Sequence, residues 1–352
     1  MIPTLYNTGL LGGGGASGGS GIGGWVELGR TTLGSSSDTI TVSGLADKRY
    51  LMVLGSVNQT GGDWRTFVRL NGDTGSNYSQ RYTQNGGADA TNTSLNGMLD
   101  WNTTNTTSTF EVMYFANYSS KEKLGIKHKV GQSTAGSSTA PIRGEMVGKH
   151  AQTSNPISSI TLTDAVDPKA GSANTGSEVV VLGWDESDAH TNNFFEELAS
   201  VDLGAAGDTL DTSSFTSKKY LWVQWYVSND SGNINPEIRF NSDSGSNYAR
   251  RKSGDGGADG TVTSASSISV AQTEDPDPRF CNMFIINNQS NEKLGIAHYM
   301  EQQSASAANT PQRSETVFKW ANTSNQISSI QVINVGTGDF GTNSKIRVWG
   351  AD

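Results

Sequence analysis

The run Asn71-Gly72-Asp73-Thr74-Gly75-Ser76-Asn77 spaces oxygen-bearing side chains at alternate positions, Asn71, Asp73 and Asn77, with Gly75 between the last two. Calcium is held by sets of such oxygens. The spacing therefore raises a weak cation site, with Asn71 and Asp73 as candidate ligands. Asn241 and Asp243 stand in the same places in a second run, Asn241-Ser242-Asp243-Ser244-Gly245-Ser246-Asn247. Each run carries one carboxylate, and neither is followed by the glutamate that completes an EF-hand loop. The same residues also suit a turn, with Asn and Asp side chains bonding nearby backbone and Gly75 and Gly245 free to take positive φ. The turn is the favoured expectation, with Arg69 and Arg239 tying it to neighbouring loops through guanidinium bonds.

Two further groups could bind a ligand. Arg143 and Glu145 are two apart in a strand-like segment, so they share a face, and Arg313 and Glu315 repeat the pair. Such a face is either a polar groove for a glycan or partner, or a sheet face carrying cross-strand ion pairs. In Tyr220-Leu221-Trp222-Val223-Gln224-Trp225-Tyr226-Val227, alternation puts Trp222 and Tyr226 on one face and Trp225 on the other. These aromatics offer a sugar platform or additional inter-domain core.

Other chemistry has little support. The four histidines are His128, His150, His190 and His298, and none has the close spacing of a zinc site. There is no Gly-x-Ser-x-Gly elbow, no P-loop and no Cys-x-x-Cys. The one cysteine, Cys281, lies among apolar residues and reads as core. No carboxylate pair is nominated for hydrolysis, no cofactor is implied, and the expectation is that the chain is not an enzyme.

The elements that position these residues are organised by a duplication. Asn71 and Asn241 are 241 − 71 = 170 positions apart, and other landmarks keep that shift. Gly86-Gly87-Ala88-Asp89 returns as Gly256-Gly257-Ala258-Asp259, and Glu122-Lys123-Leu124-Gly125-Ile126 as Glu292-Lys293-Leu294-Gly295-Ile296. A period of this size is a whole domain rather than a solenoid unit. The expected organisation is a Gly-rich arm over 1–24, a first domain over 25–185, a linker over 186–193 and a second domain over 194–352. Thirteen residues from Gly12 to Gly24, nearly all Gly and Ser, give the arm a reach on the order of 20 Å.

Strand signals run through both copies. Asp38 to Val42, Arg49 to Val57, Phe67 to Leu70, Phe110 to Tyr118, Leu124 to Val130, Ile142 to Lys149, Ile157 to Thr163 and Glu178 to Leu182 are short, β-branched or alternating, and bounded by Gly, Asn and Asp. No long window has a helical period. The fold class is all-β: two tandem antiparallel β-sandwiches of jelly-roll-like form with little helix.

A net charge of −9 with 17% charged residues argues against general affinity for nucleic acid or anionic membrane. No stretch has the length and apolarity of a membrane-spanning helix, and no secretory signal pattern is visible at the N-terminus.

Taken together, Arg-[Leu/Phe]-Asn-x-Asp-x-Gly-Ser-Asn-Tyr, Gly-Gly-Ala-Asp, Glu-Lys-Leu-Gly-Ile-x-His, Pro-x-Arg-x-Glu, Ile-Ser-Ser-Ile and Gly336-Thr337-Gly338-Asp339-Phe340 resemble repeats of structural proteins of tailed bacteriophages and related viruses. The resemblance covers nearly the whole chain after residue 25 and carries no catalytic motif. It implies virion localisation and a jelly-roll-like sandwich. It also implies self-association as a trimer or larger symmetric assembly with other virion proteins, in a capsid, decoration or fibre component. The alternative, from a different class, is a pair of carbohydrate-binding, lectin-like modules with a glycan partner; a polysaccharide hydrolase comes third.

Overall fold

The computed structural model describes residues 24–59, 64–99, 107–164, 172–185, 188 and 192–352. The expected arm and most of the expected linker lie outside the described residues. Every regular element among the described residues is a β-strand.

The first copy contains β1 (Val26–Thr32), β2 (Thr39–Ser43), β3 (Tyr50–Asn58), β4 (Thr66–Leu70), β5 (Tyr78–Gln84), β6 (Ala90–Leu95), β7 (Met98–Leu99), β8 (Ser108–Ala116), β9 (Lys123–Gln132), β10 (Ile142–His150), β11 (Ser159–Asp164) and β12 (Glu178–Trp184). They form an eight-stranded antiparallel sheet, β1-β12-β3-β8-β9-β10-β5-β6, packed on a four-stranded sheet, β2-β11-β4-β7. The second copy contains β13 (Glu196–Asp202), β14 (Thr209–Asp211), β15 (Tyr220–Val227), β16 (Asn229–Ser231), β17 (Pro236–Phe240), β18 (Tyr248–Gly254), β19 (Gly260–Ala265), β20 (Ile268–Ser269), β21 (Arg279–Ile286), β22 (Lys293–Glu301), β23 (Gln312–Trp320), β24 (Ile330–Asn334), β25 (Asp339–Phe340) and β26 (Lys345–Ala351). Its sheets repeat the same orders, β13-β26-β15-β21-β22-β23-β18-β19 over β14-β24-β17-β20, with an added ribbon of β16 and β25. Registers repeat too: Ala116 faces Leu124 as Ile286 faces Leu294.

Side-chain alternation decides which residues fill each sandwich. In β2, Ile40 and Val42 point inward between exposed threonines and serine. In β3 the apolar run is buried on both faces, which a continuous hydrophobic strand suits. Leu51, Val53 and Val57 join the core of the first sandwich, whereas Met52 and Leu54 join a separate core. That separate core lies between the two sandwiches. Met52, Leu54, Phe110, Val112, Val130, Val180 and Leu182 come from the outer face of the first large sheet, and Tyr220, Phe284, Ile286, Leu294, Ile296 and Val317 from the second. Full burial of each aliphatic side chain contributes about 1.5–3 kcal/mol, so the seam is a substantial cohesive surface.

The turn after β4 shows how local chemistry fixes register. Asp73 N–H donates to the Leu70 carbonyl at 3.0 Å, and the two central residues, Asn71 and Gly72, have φ of 54° and 65°. In the second copy, Asn241 and Ser242 take φ of 52° and 55°. The expectation that Gly75 and Gly245 supply the positive φ is therefore corrected: that conformation falls on the Asn and the residue after it, as a type I′ turn needs, and the turn carries the chain from the small sheet to the large one. Gly75 is required for space instead, because a Cβ there would lie 2.8 Å from Asn77 Nδ2.

Candidate functional site

The strand β9 reads Lys123-Leu-Gly-Ile-Lys-His-Lys-Val130, and its two faces are reversed from the usual arrangement. Gly125, Lys127 and Lys129 point into the sandwich and are buried, while Leu124 and Ile126 point out. The inward lysines are held by Glu111 on β8: Lys127 Nζ lies 3.0 Å and Lys129 Nζ 3.8 Å from its carboxylate. Thr66 donates a short hydrogen bond to the same carboxylate. With the lysines directed to a carboxylate inside, Leu124 and Ile126 are left to form an outer surface. Gly125 admits the Phe115 ring, which a Cβ would meet at 2.7 Å.

Leu124, Ile126 and Val147 are 56%, 48% and 50% exposed, and they lie together on the outer face of β9 and β10. Twist of the sheet makes this face a concavity of about 870 Å3. Tyr50, Tyr114, Trp184 and Trp25 line one side; Arg81, Asn92 and Lys149 are among the polar groups on the other. Tyr50 stacks on Trp184, with centroids 5.4 Å apart, and its hydroxyl lies 2.6 Å from that of Tyr118. Burial raises the Tyr114 hydroxyl above the ordinary tyrosine value, so it stays protonated at neutral pH. The surface can bury an apolar or aromatic partner and orient it with rim hydrogen bonds.

A second cluster sits at the seam between the sandwiches. The rings of His128 and His298 meet edge to face, with centroids 4.4 Å apart. Arg143, Glu145 and Glu315 line the same narrow space. Arg143 pairs with Glu145 and, across the seam, with Asp259 at 2.8 Å. Burial disfavours the Arg143 charge, but Asp259 and Glu145 outweigh it and its pKa is raised. Burial, aided by His298 and Arg143, pushes His128 down to about 3. His298 is lowered as well, chiefly by burial. Arg313 pairs with Glu315 but is 60% exposed.

The turn residues are engaged by donors. Asn71 Oδ1 accepts from the N–H of Ser158 at 2.7 Å and of Ser159 at 3.2 Å, and its Nδ2 donates to the Pro156 carbonyl. Asp73 accepts from Gly75 N–H, Asn77 Nδ2 and His150 Nε2. The hydrogen bond from His150 leads the causes that hold its carboxyl below the ordinary value. Asn241 repeats these contacts with Ser328, Ser329 and Gln326. Asp243 accepts from Gly245, Asn247 and, at 2.7 Å, the indole N–H of Trp320. Indole N–H is a donor only, so it aims a proton at the carboxylate oxygen a cation would need. These four residues hold the turn through these hydrogen bonds.

The aromatic candidates separate. Trp225 is 1% exposed inside the second sandwich, which removes it as a ligand platform: its face of β15 is the inward one. Trp222 stacks on Phe284 at 5.6 Å and packs against the inter-sandwich core, where its indole donates to Asn282. Tyr226 is 37% exposed on the same outward face.

Two features have no counterpart in the sequence reading. One is the concavity, assembled from seven strands and a preceding residue, Trp25. The other is a buried network in the second sandwich, where Asp275, Asp277 and Glu301 lie within 4.8 Å of one another. Arg279 supplies the positive charge, 2.8 Å from Asp275 and 3.3 Å from Glu301. Tyr299 donates its hydroxyl to Glu301 at 2.8 Å. The guanidinium thus pairs with two of the three carboxylates.

No protein-family model matches this chain, and no curated protein matches it. Among solved structures, it is similar over 92% of its length to mouse laminin α1 domains LG4-5, covering 89% of that chain at 9% identity and a TM-score of 0.16. The attachment invasion locus protein Ail of Yersinia pestis is matched over 82% of this chain and 99% of its own, at 6% identity and a TM-score of 0.12. Neisserial surface protein A gives the same identity, coverage and TM-score. No helix among the described residues is long and apolar enough to cross a membrane.

Proposed function

We propose that this chain is a non-enzymatic structural protein of a virion, a capsid, decoration or fibre component that associates with copies of itself through its tandem β-sandwiches. The observation that carries the self-association is the open apolar face at Leu124, Ile126 and Val147. A contiguous exposed patch of this kind, rimmed by polar side chains, marks an interaction surface. The virion setting rests on the sequence resemblance given above. Sedimentation velocity of the purified chain, followed by negative-stain imaging, tests the proposal. Discrete rings, rods or shells support it. A chain that remains monomeric at its highest soluble concentration refutes it.

The aromatic wall of the same concavity favours a second reading, a glycan site. Tyr50, Trp184 and Tyr114 stand opposite Arg81 and Asn92, the pairing of flat apolar surface with polar donors that small-ligand sites use. Binding on a glycan array that is lost in Trp184→Ala supports it, and an array without signal refutes it.

A further inference from the structure

The two sandwiches pack head to tail, and each therefore leaves unused the half of the contact that the other uses. Leu294, Ile296 and Val317 of the second copy are 1%, 4% and 2% exposed, buried against the first. Their counterparts by the repeat are Leu124, Ile126 and Val147, which are about half exposed. On the other side, Phe110 and Val130 of the first copy are buried under the second, at 1% and 0%. Their counterparts, Phe280 and Met300, are 39% and 41% exposed.

The polar contacts follow the same rule. Arg143 and Asp259 form the buried cross-seam pair; their counterparts Arg313 and Asp89 are 60% and 52% exposed. Lys319 and Glu292 lie 3.6 Å apart, buried, and reach the 134–136 backbone of the first copy. Lys149 and Glu122 form the same pair at 2.9 Å, out in solvent. Asn288 donates to Ser56 across the seam; the residues in those places are Tyr118 and Tyr226, both exposed. A self-complementary two-fold contact would have covered both faces at once. The contact is heterologous, and one half of it stays free on each sandwich.

We infer that a second copy of this chain docks its second sandwich onto the open face of the first sandwich, repeating between chains the contact already made within one. This deepens the self-association proposed above and rests on it. In that contact Arg313 of one chain meets Asp89 of the next, and Phe280 and Met300 cover Leu124, Ile126 and Val147. Repeated head to tail, it closes into a ring or extends as a filament. Three chains closed in this way would form a ring of six sandwiches. The contact between chains is weaker than the one within. Leu54, Val112 and Val180 are replaced in the second copy by Gln224, Asn282 and Arg347. Asn282 accepts from Gln224 and Trp222, and Arg347 is bonded to Asp202 and the Val201 carbonyl. Tethering makes the intrachain contact local, so it forms first; association between chains then depends on concentration.

The test uses the full chain in sedimentation velocity over a concentration series. Arg313→Glu alone sets Glu against Asp89, and Asp89→Arg alone sets Arg against Arg313. Each should weaken association by about tenfold or more, because like charges are forced together across a contact. The double variant Arg313→Glu with Asp89→Arg restores opposite charges at every contact, in an odd-membered ring as in an even one, and should restore association. Ile126→Glu, on an exposed position, should abolish it while leaving the circular dichroism spectrum unchanged. Parent protein that associates while all three single variants associate equally well overturns this contact and leaves self-association standing. Loss with Ile126→Glu but no response to either charge variant, or no rescue in the double variant, points to a two-fold contact between first sandwiches and also overturns it. Parent protein that never associates overturns both.

Discussion

Acidification should loosen this protein well above the range where carboxylates titrate, and the reason lies in the histidine pair at the seam. His128 faces His298 and Arg143, and His298 faces Arg143, Arg313 and Glu145; for both, burial is the leading cause of a lowered pKa. A folded value held below the unfolded one means that the unfolded chain binds the proton first. Stability is then full above the ordinary value of 6.5 and falls as pH drops from there toward about 3 for His128. Between about pH 7.5 and 5.0 the unfolded imidazole takes up nearly a whole proton that the folded one refuses, a loss of about 2 kcal/mol for His128 alone. His298 adds to it in the same direction. Asp73, Glu178, Asp202 and Asp243 are shifted down from ordinary carboxyl values. Their stabilisation is lost only as pH falls further, and Glu301, whose pKa burial raises, acts in the opposite sense, so it is the comparison of the parent with a His128 variant that isolates the histidine. Urea denaturation at the two pH values measures the difference. His128→Gln removes the titrating group, and its stability should fall by about 2 kcal/mol less than the parent's over the same interval. Equal losses in parent and variant would refute the assignment of the pH dependence to the seam.

Three further outcomes can be measured. Glu111→Ala removes the carboxylate beside the buried ammonium groups of Lys127 and Lys129 and should cost about 3–5 kcal/mol in urea denaturation; a cost under about 1 kcal/mol would mean the pairing contributes little to stability. Asn71→Ala loses bonds to Ser158, Ser159 and Pro156 and puts a Cβ-bearing residue without a compensating side chain at positive φ, so about 2 kcal/mol or more is expected. Asn71→Gly should recover the backbone part only, and millimolar calcium should leave the melting temperature of the parent unchanged; a rise would reinstate the cation site. Trp225→Ala should destabilise by about 3–5 kcal/mol as a core truncation without altering any glycan binding, whereas a selective loss of binding would return Trp225 to the surface.

The sequence by itself determined the all-β class, the apolar strands, the duplication and the presence of the turn. Alternation at Thr39–Ser43, the apolar run at Tyr50–Asn58 and the Asn-Asp-Gly punctuation are local signals, and local sterics and hydrogen bonding settle what they mean. The near-constant shift of 170 also paired residues that occupy the same place in each sandwich. Local signals did not reveal which of each pair is covered. Leu124 and Leu294 have the same neighbours in sequence, yet one is open and the other buried. Nor did alternation reveal that Lys127 and Lys129 point inward, because a charge can be buried wherever a carboxylate from another strand meets it. The polar edge strand Ala90–Leu95, which forms one wall of the concavity, carries no apolar pattern to announce it. Packing of one sheet on another brings residues together from distant parts of the chain. That packing alone decided that two related faces would meet head to tail, with one of each left open.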